Sequence, residues 1–115
     1  MSVAILRQGG VLIASIQSDL SDTEVIDLRR RLAELVGTDG ARGIVIDVGA
    51  LDVIDSFVTR ALRAIVLTAR LRGAETIIVG IAPDVAIAMV QFRLNLEPLR
   101  VALDLDEALA MLHDR

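Results

Sequence analysis

Three carboxylates, Asp47, Asp52 and Asp55, lead up to a serine, Ser56, where an apolar run gives way to a helical pattern. Two chemistries suit that spacing. Asp55 or Ser56 can cap the helix, its side-chain oxygen accepting a backbone N–H, a contribution of about 0.5–2 kcal/mol. Alternatively, Ser56 is a phospho-acceptor. A phosphate there meets free N–H groups and the positive end of the helix dipole, a gain of roughly 0.3–1 kcal/mol when exposed. Asp55 beside it and Asp52 one turn earlier oppose that gain by like-charge repulsion. The two effects nearly cancel, so the fold is expected to survive phosphorylation while its surface gains about −1.5 to −2 charges.

Other chemistries fit less well. Asp104-Leu105-Asp106 has the Asp-x-Asp spacing of aspartate-nucleophile phosphatases, but Glu107-Ala108 follows where glycine and threonine are expected, and a helix cap explains the carboxylates better. Asp47 at the end of an apolar run suggests a phospho-aspartate, yet no acidic pair follows the first strand and the chain has no lysine, all 12 basic residues being arginine. The lack of lysine also removes Schiff-base and P-loop chemistry. Without cysteine there is no thiol nucleophile, thiolate metal site or disulfide. The single histidine, His113, lies two residues from the C-terminus, so a Ser-His-Asp triad or a histidine metal cluster would need that end to fold back. No enzymatic activity and no cofactor are expected.

Composition narrows the partners. Aromatic residues make up 2% of the chain, Phe57 and Phe92 alone, which leaves almost nothing to stack on bases or sugars. The net charge is −4 and the arginines are scattered, apart from Arg29-Arg30-Arg31, which reads as a solvated helix face, so nucleic acid is an unsuitable partner. No apolar run reaches the ~18 residues of a membrane span and the N-terminus lacks a basic signal region, so a cytoplasmic location is expected.

The elements that must position Ser56 follow from periodicity. A chain of 115 residues that is 54% hydrophobic fits one domain, residues 1–115, with a core of Val, Ile, Leu and Ala. Val3 to Leu6 and Val11 to Ile16 flank Gln8-Gly9-Gly10 as a hairpin. Ser21-Asp22-Thr23-Glu24 is a capping box opening a helix with Val25, Leu28, Leu32, Leu35 and Val36 on its apolar side, expected to end near Gly37. Gly43 to Val48 is a nearly continuous apolar run of the kind found in a central strand covered on both faces. A second helix is expected from Phe57 to Leu71, a strand from Thr76 to Ile81, a helix over Val85 to Leu94, a short strand at Val101 to Leu103 and a last helix capped by Asp104. The order β-β-α-β-α-β-α-β-α predicts a mixed, mostly parallel sheet with an N-terminal hairpin at one edge and four helices.

The element order, Gly43-Ile44-Val45-Ile46-Asp47, the helix start Asp55-Ser56-Phe57, Gly80-Ile81-Ala82-Pro83 and the closing Ala102 to Leu109 together resemble the STAS domain, the fold of anti-sigma factor antagonists. The resemblance runs from Ile5 to Leu112. Within that family the chain is similar to the stand-alone stressosome scaffolds of the RsbS type, because Phe57-Val58-Thr59-Arg60 replaces the Gly-Leu-Gly that antagonists usually carry after their phospho-serine. The family's phosphorylated serine falls on Ser56. The resemblance implies a binding protein that forms a large homo- or hetero-oligomer with RsbR-type paralogues. It would sequester an RsbT-type serine kinase, release it when Ser56 is phosphorylated, and be reset by an RsbX-type phosphatase. Asp52, Asp55, Phe57 and Thr59 around Ser56 are then the expected partner-binding residues. The alternative is a conventional antagonist that binds an anti-sigma kinase directly.

Overall fold

The computed structural model describes residues 3–51, 54, 56–84, 87 and 100–113. β1 (Val3–Gln8) and β2 (Val11–Ile16) form the antiparallel hairpin, with Gln8 paired to Val11. The turn is therefore Gly9-Gly10 alone, one residue shorter than expected. Both glycines have positive φ, 55° and 81°, as a two-residue turn that matches the strand twist requires. β3 (Gly43–Asp47), β4 (Glu75–Val79) and β5 (Arg100–Ala102) follow in parallel, giving a sheet of order β1-β2-β3-β4-β5 with β3 at its centre.

α1 (Asp22–Asp39) opens on Ser21, whose hydroxyl accepts the Glu24 N–H while the Glu24 carboxylate accepts the Ser21 N–H. The helix runs past Gly37 to a C-cap at Gly40, which takes the left-handed conformation at φ 65° and donates its N–H to the Val36 carbonyl. Gly37 stays helical, and the Thr38 hydroxyl donates back to the Glu34 carbonyl over the same turn. α2 (Ser56–Leu71) begins one residue earlier than its apolar pattern indicates, and α3 (Leu105–His113) is capped by Asp104, whose Oδ1 accepts the Glu107 N–H at 2.9 Å. These three helices are described from end to end, and Pro83, Asp84 and Ile87 are also helical. The expected helix over residues 85–94 lies outside the described residues except for Ile87.

Strand alternation sorts the core into two layers. Leu12, Ala14, Ile16, Ile44, Ile46 and Ile78 face one side, where Leu28, Leu32 and Val36 of α1 and Leu62, Ile65 and Ala69 of α2 cover them. Val11, Ile13, Val45, Ile77 and Val79 face the other side, with Ala108 and Leu112 of α3. Gly43 admits α3 at close range, since a Cβ there would lie 2.8 Å from a Leu112 methyl. Both faces of β3 are buried, as its unbroken apolar run predicts.

Candidate functional site

The connection from β3 to α2 leaves the carboxyl end of the central strand, where open α/β sheets place their binding crevices. Asp47 closes its first turn: Oδ1 accepts the Gly49 N–H at 2.8 Å, an Asx-turn. Val48 donates to the Val79 carbonyl and accepts from the Leu51 N–H, each at 3.0 Å, which ties the loop to β4. Gly80 packs against this turn at φ 88°, and a Cβ there would lie 2.7 Å from Asp47 Oδ1 and 2.8 Å from the Gly49 nitrogen. Leu51 and Ile54 are buried in the layer under α1 and α2. The path into α2 is thus fixed by backbone hydrogen bonds and by two apolar anchors.

Ser56 is exposed as the first residue of α2. Asp47, one of the three carboxylates expected around it, is committed to its own turn; Asp52 and Asp55 lie outside the described residues. Phe57 is half-buried. With Val58 and Ala61 it walls a groove of about 220 Å³ between the first turns of α1 and α2, opposite Leu20, Val25 and Leu28, with Asp19 as the single charged residue among the described residues of its lining. Thr59 differs from expectation: it is 2% exposed, because it falls three residues after Ser56 on the same inward side as Leu62, Val66 and Ala69. It supports α2 from within and presents nothing to a partner. The groove itself escaped the sequence reading; the apolar Leu20 in a polar loop was its one local signal.

The other candidate chemistries separate in space. His113 sits at the opposite end of the sheet, its Nδ1 3.3 Å from Arg42 Nη2, while Arg42 Nη1 donates to the Gly9 carbonyl at 2.8 Å. It is far from Ser56 along the strand direction, since Arg42 precedes β3 and Ser56 follows it. Asp104 is spent on capping α3. Among the described residues no three His, Cys, Asp or Glu side chains group as a metal site, and no helix is long and apolar enough to cross a membrane.

A hairpin feeding a parallel sheet, with a serine opening the helix after its central strand, defines a class: residues 2–108 match the STAS domain, and the chain belongs to that family. It is similar to a serine-to-glutamate variant of RsbS from Moorella thermoacetica, with 33% identity over 99% of this chain and 97% of that one and a TM-score of 0.81. A chain in the molecular architecture of the stressosome, a signal integration and transduction hub, is 32% identical over 96% of both chains, with a TM-score of 0.75. An anti-sigma factor antagonist from Mycobacterium paratuberculosis shares the fold at 21% identity, with 97% of this chain and 93% of that one covered and a TM-score of 0.70. The curated proteins give no match.

Proposed function

We propose that this chain is a phospho-regulated scaffold of a bacterial stressosome. With RsbR-type STAS paralogues it holds an RsbT-type serine kinase and releases that kinase when Ser56 is phosphorylated. The observation that carries this reading is Ser56 itself, exposed and first in α2, in a chain one-third identical to RsbS over nearly its whole length. In the modifying step the Ser56 hydroxyl loses its proton and takes the γ-phosphoryl group of ATP, and ADP leaves. The kinase holds the nucleotide and its Mg²⁺, so the scaffold requires no cofactor and no catalytic group of its own. An RsbX-type phosphatase hydrolyses the phosphoserine and resets it. The setting is the cytoplasm, where such a kinase finds ATP.

The test is a pull-down with the tagged chain from native lysate, followed by incubation of the purified complex with ATP and Mg²⁺ and mapping of the modified residue. Recovery of an RsbR-like STAS protein and a small serine kinase, with phosphate on Ser56, supports the scaffold. Modification of Ser21 or Thr68 in place of Ser56 overturns the site. The conventional antagonist shares the fold and is distinguished by size: it elutes with its kinase as a small complex, whereas a stressosome scaffold elutes with its paralogue as a very large one.

A further inference from the structure

The groove between the first turns of α1 and α2 exposes apolar surface that close packing of the two helices would cover. Its floor belongs to the core: Ile16, Leu51, Leu62 and Ile65 are all buried. Its rim is Val25 on the α1 side and Phe57, Val58 and Ala61 on the α2 side, four apolar residues that are each half-buried. Apolar walls held apart in this way forgo contacts with each other, so an apolar occupant gains both buried area and contacts. The volume, about 220 Å³, admits a chain of roughly seven non-hydrogen atoms at ~30 Å³ each.

Two features select the charge of that occupant. Asp19 is the single charged residue among the described residues of the lining, so a carboxylate borders the opening and no described arginine does. Phe57, one of the chain's two aromatic residues, adds a ring whose π-face attracts cations. The positive end of α1, which would favour an anion, is already answered by the Ser21 and Glu24 capping box and by Asp22 in the first turn. We infer that the groove binds a small amphipathic cation, with a short alkyl body in the cleft and an ammonium group against Asp19. Ser56 is not among the lining residues and is exposed, so the bound cation leaves the proposed phospho-acceptor accessible. The inference stands apart from the scaffold reading, since it needs neither kinase nor phosphate.

The experiment is an amide NMR titration of the full chain at neutral pH with hexylammonium, butylammonium, hexanol and hexanoate as probes. Hexylammonium is expected to shift the amide resonances of Val25, Phe57, Val58 and Ala61 saturably. Hexanol, which lacks the charge, is expected to bind roughly fivefold more weakly and hexanoate, which reverses it, roughly tenfold. Butylammonium is two methylenes shorter and is expected to bind roughly tenfold more weakly. Asp19 is exposed, so Asp19→Asn should keep the urea midpoint of wild type while bringing hexylammonium to the affinity of hexanol. Ala61→Phe fills the groove from its rim and is expected to abolish the shifts with every probe. If that variant does not fold, the comparison of charges in wild type and Asp19→Asn decides by itself. No saturable shift with any probe, hexanol or hexanoate binding as tightly as hexylammonium, or an Asp19→Asn variant that behaves as wild type overturns the inference. So does a groove that ignores every probe and whose amides shift only on adding an RsbT-type kinase, which would make it part of the kinase interface. A lysate pull-down without paralogue or kinase would overturn the scaffold reading instead and leave this site standing.

Discussion

Ser56 and Gly80 show how differently two residues of one site are constrained. Ser56 is exposed and opens a helix, a position where alanine is well tolerated, so Ser56→Ala is expected to change stability by less than about 0.5 kcal/mol. On the scaffold reading the variant should bind the kinase and fail to release it, because the hydroxyl proposed to accept the phosphoryl group is gone; phosphosite mapping and retention of the kinase on an affinity resin after ATP addition read both. Gly80 is the reverse case. Its φ of 88° is left-handed territory, and the space for a Cβ is filled by Asp47 Oδ1 and the Gly49 backbone. Gly80→Ala is expected to cost about 1–3 kcal/mol, read as a lower urea midpoint, and to loosen the turn that launches the chain toward α2. The strand-to-helix switch at Ser56 was legible in the sequence because a serine after closely spaced aspartates is a local pattern. The burial of Thr59 was legible in principle from its spacing to Leu62 and Val66. The clamp between Gly80 and Asp47 joins residues 33 positions apart, and no local pattern reports that.

Elements were readable wherever their signals were local. The capping box at Ser21, the two apolar registers of β2 and β3 and the amphipathic stripe of α2 each sit within a few residues, and each appears in the fold as the sequence implies. Boundaries moved where a longer-range bond decided them. α1 continues to Asp39 because Gly40, and not Gly37, takes the left-handed conformation and donates to the Val36 carbonyl. β4 begins at Glu75 because the Glu75 N–H is held by the Arg42 carbonyl, at 3.1 Å, and its regular pairing ends where Gly80 turns away. The reciprocal bonds at Ser21 give α1 a measurable anchor. Ser21→Ala removes the acceptor of the Glu24 N–H and is expected to lower stability by about 0.5–2 kcal/mol in urea unfolding with an unchanged m-value, since the surface exposed on unfolding is the same. A larger loss accompanied by a changed m-value would mean that α1 separates from α2 before global unfolding.

At the scale of the whole molecule, Ser56, the proposed phospho-acceptor, is the first residue of α2, a helix that carries Arg60, Arg63 and Arg70 and no carboxylate. Phosphorylation adds about −1.5 to −2 charges, taking the chain from −4 to about −6 and the α2 face from +3 to about +1. Ser56 is exposed at a helix N-terminus, where the dipole favours an anion, so the cost of a phosphate falls on partner binding and not on folding. The phosphorylated chain is therefore expected to keep the unfolding free energy of the unmodified one to within about 1 kcal/mol in urea, and, on the scaffold reading, to hold its kinase several-fold more weakly at low salt. The difference should shrink at high salt, because the screening length falls from about 10 Å at 0.1 M to about 3 Å at 1 M. Retention of the kinase by matched phosphorylated and unmodified samples at the two salt concentrations measures this directly. Equal dissociation constants at low salt would separate Ser56 from the kinase-binding surface, and a large drop in the urea midpoint would mean that the phosphate acts by loosening α2 itself.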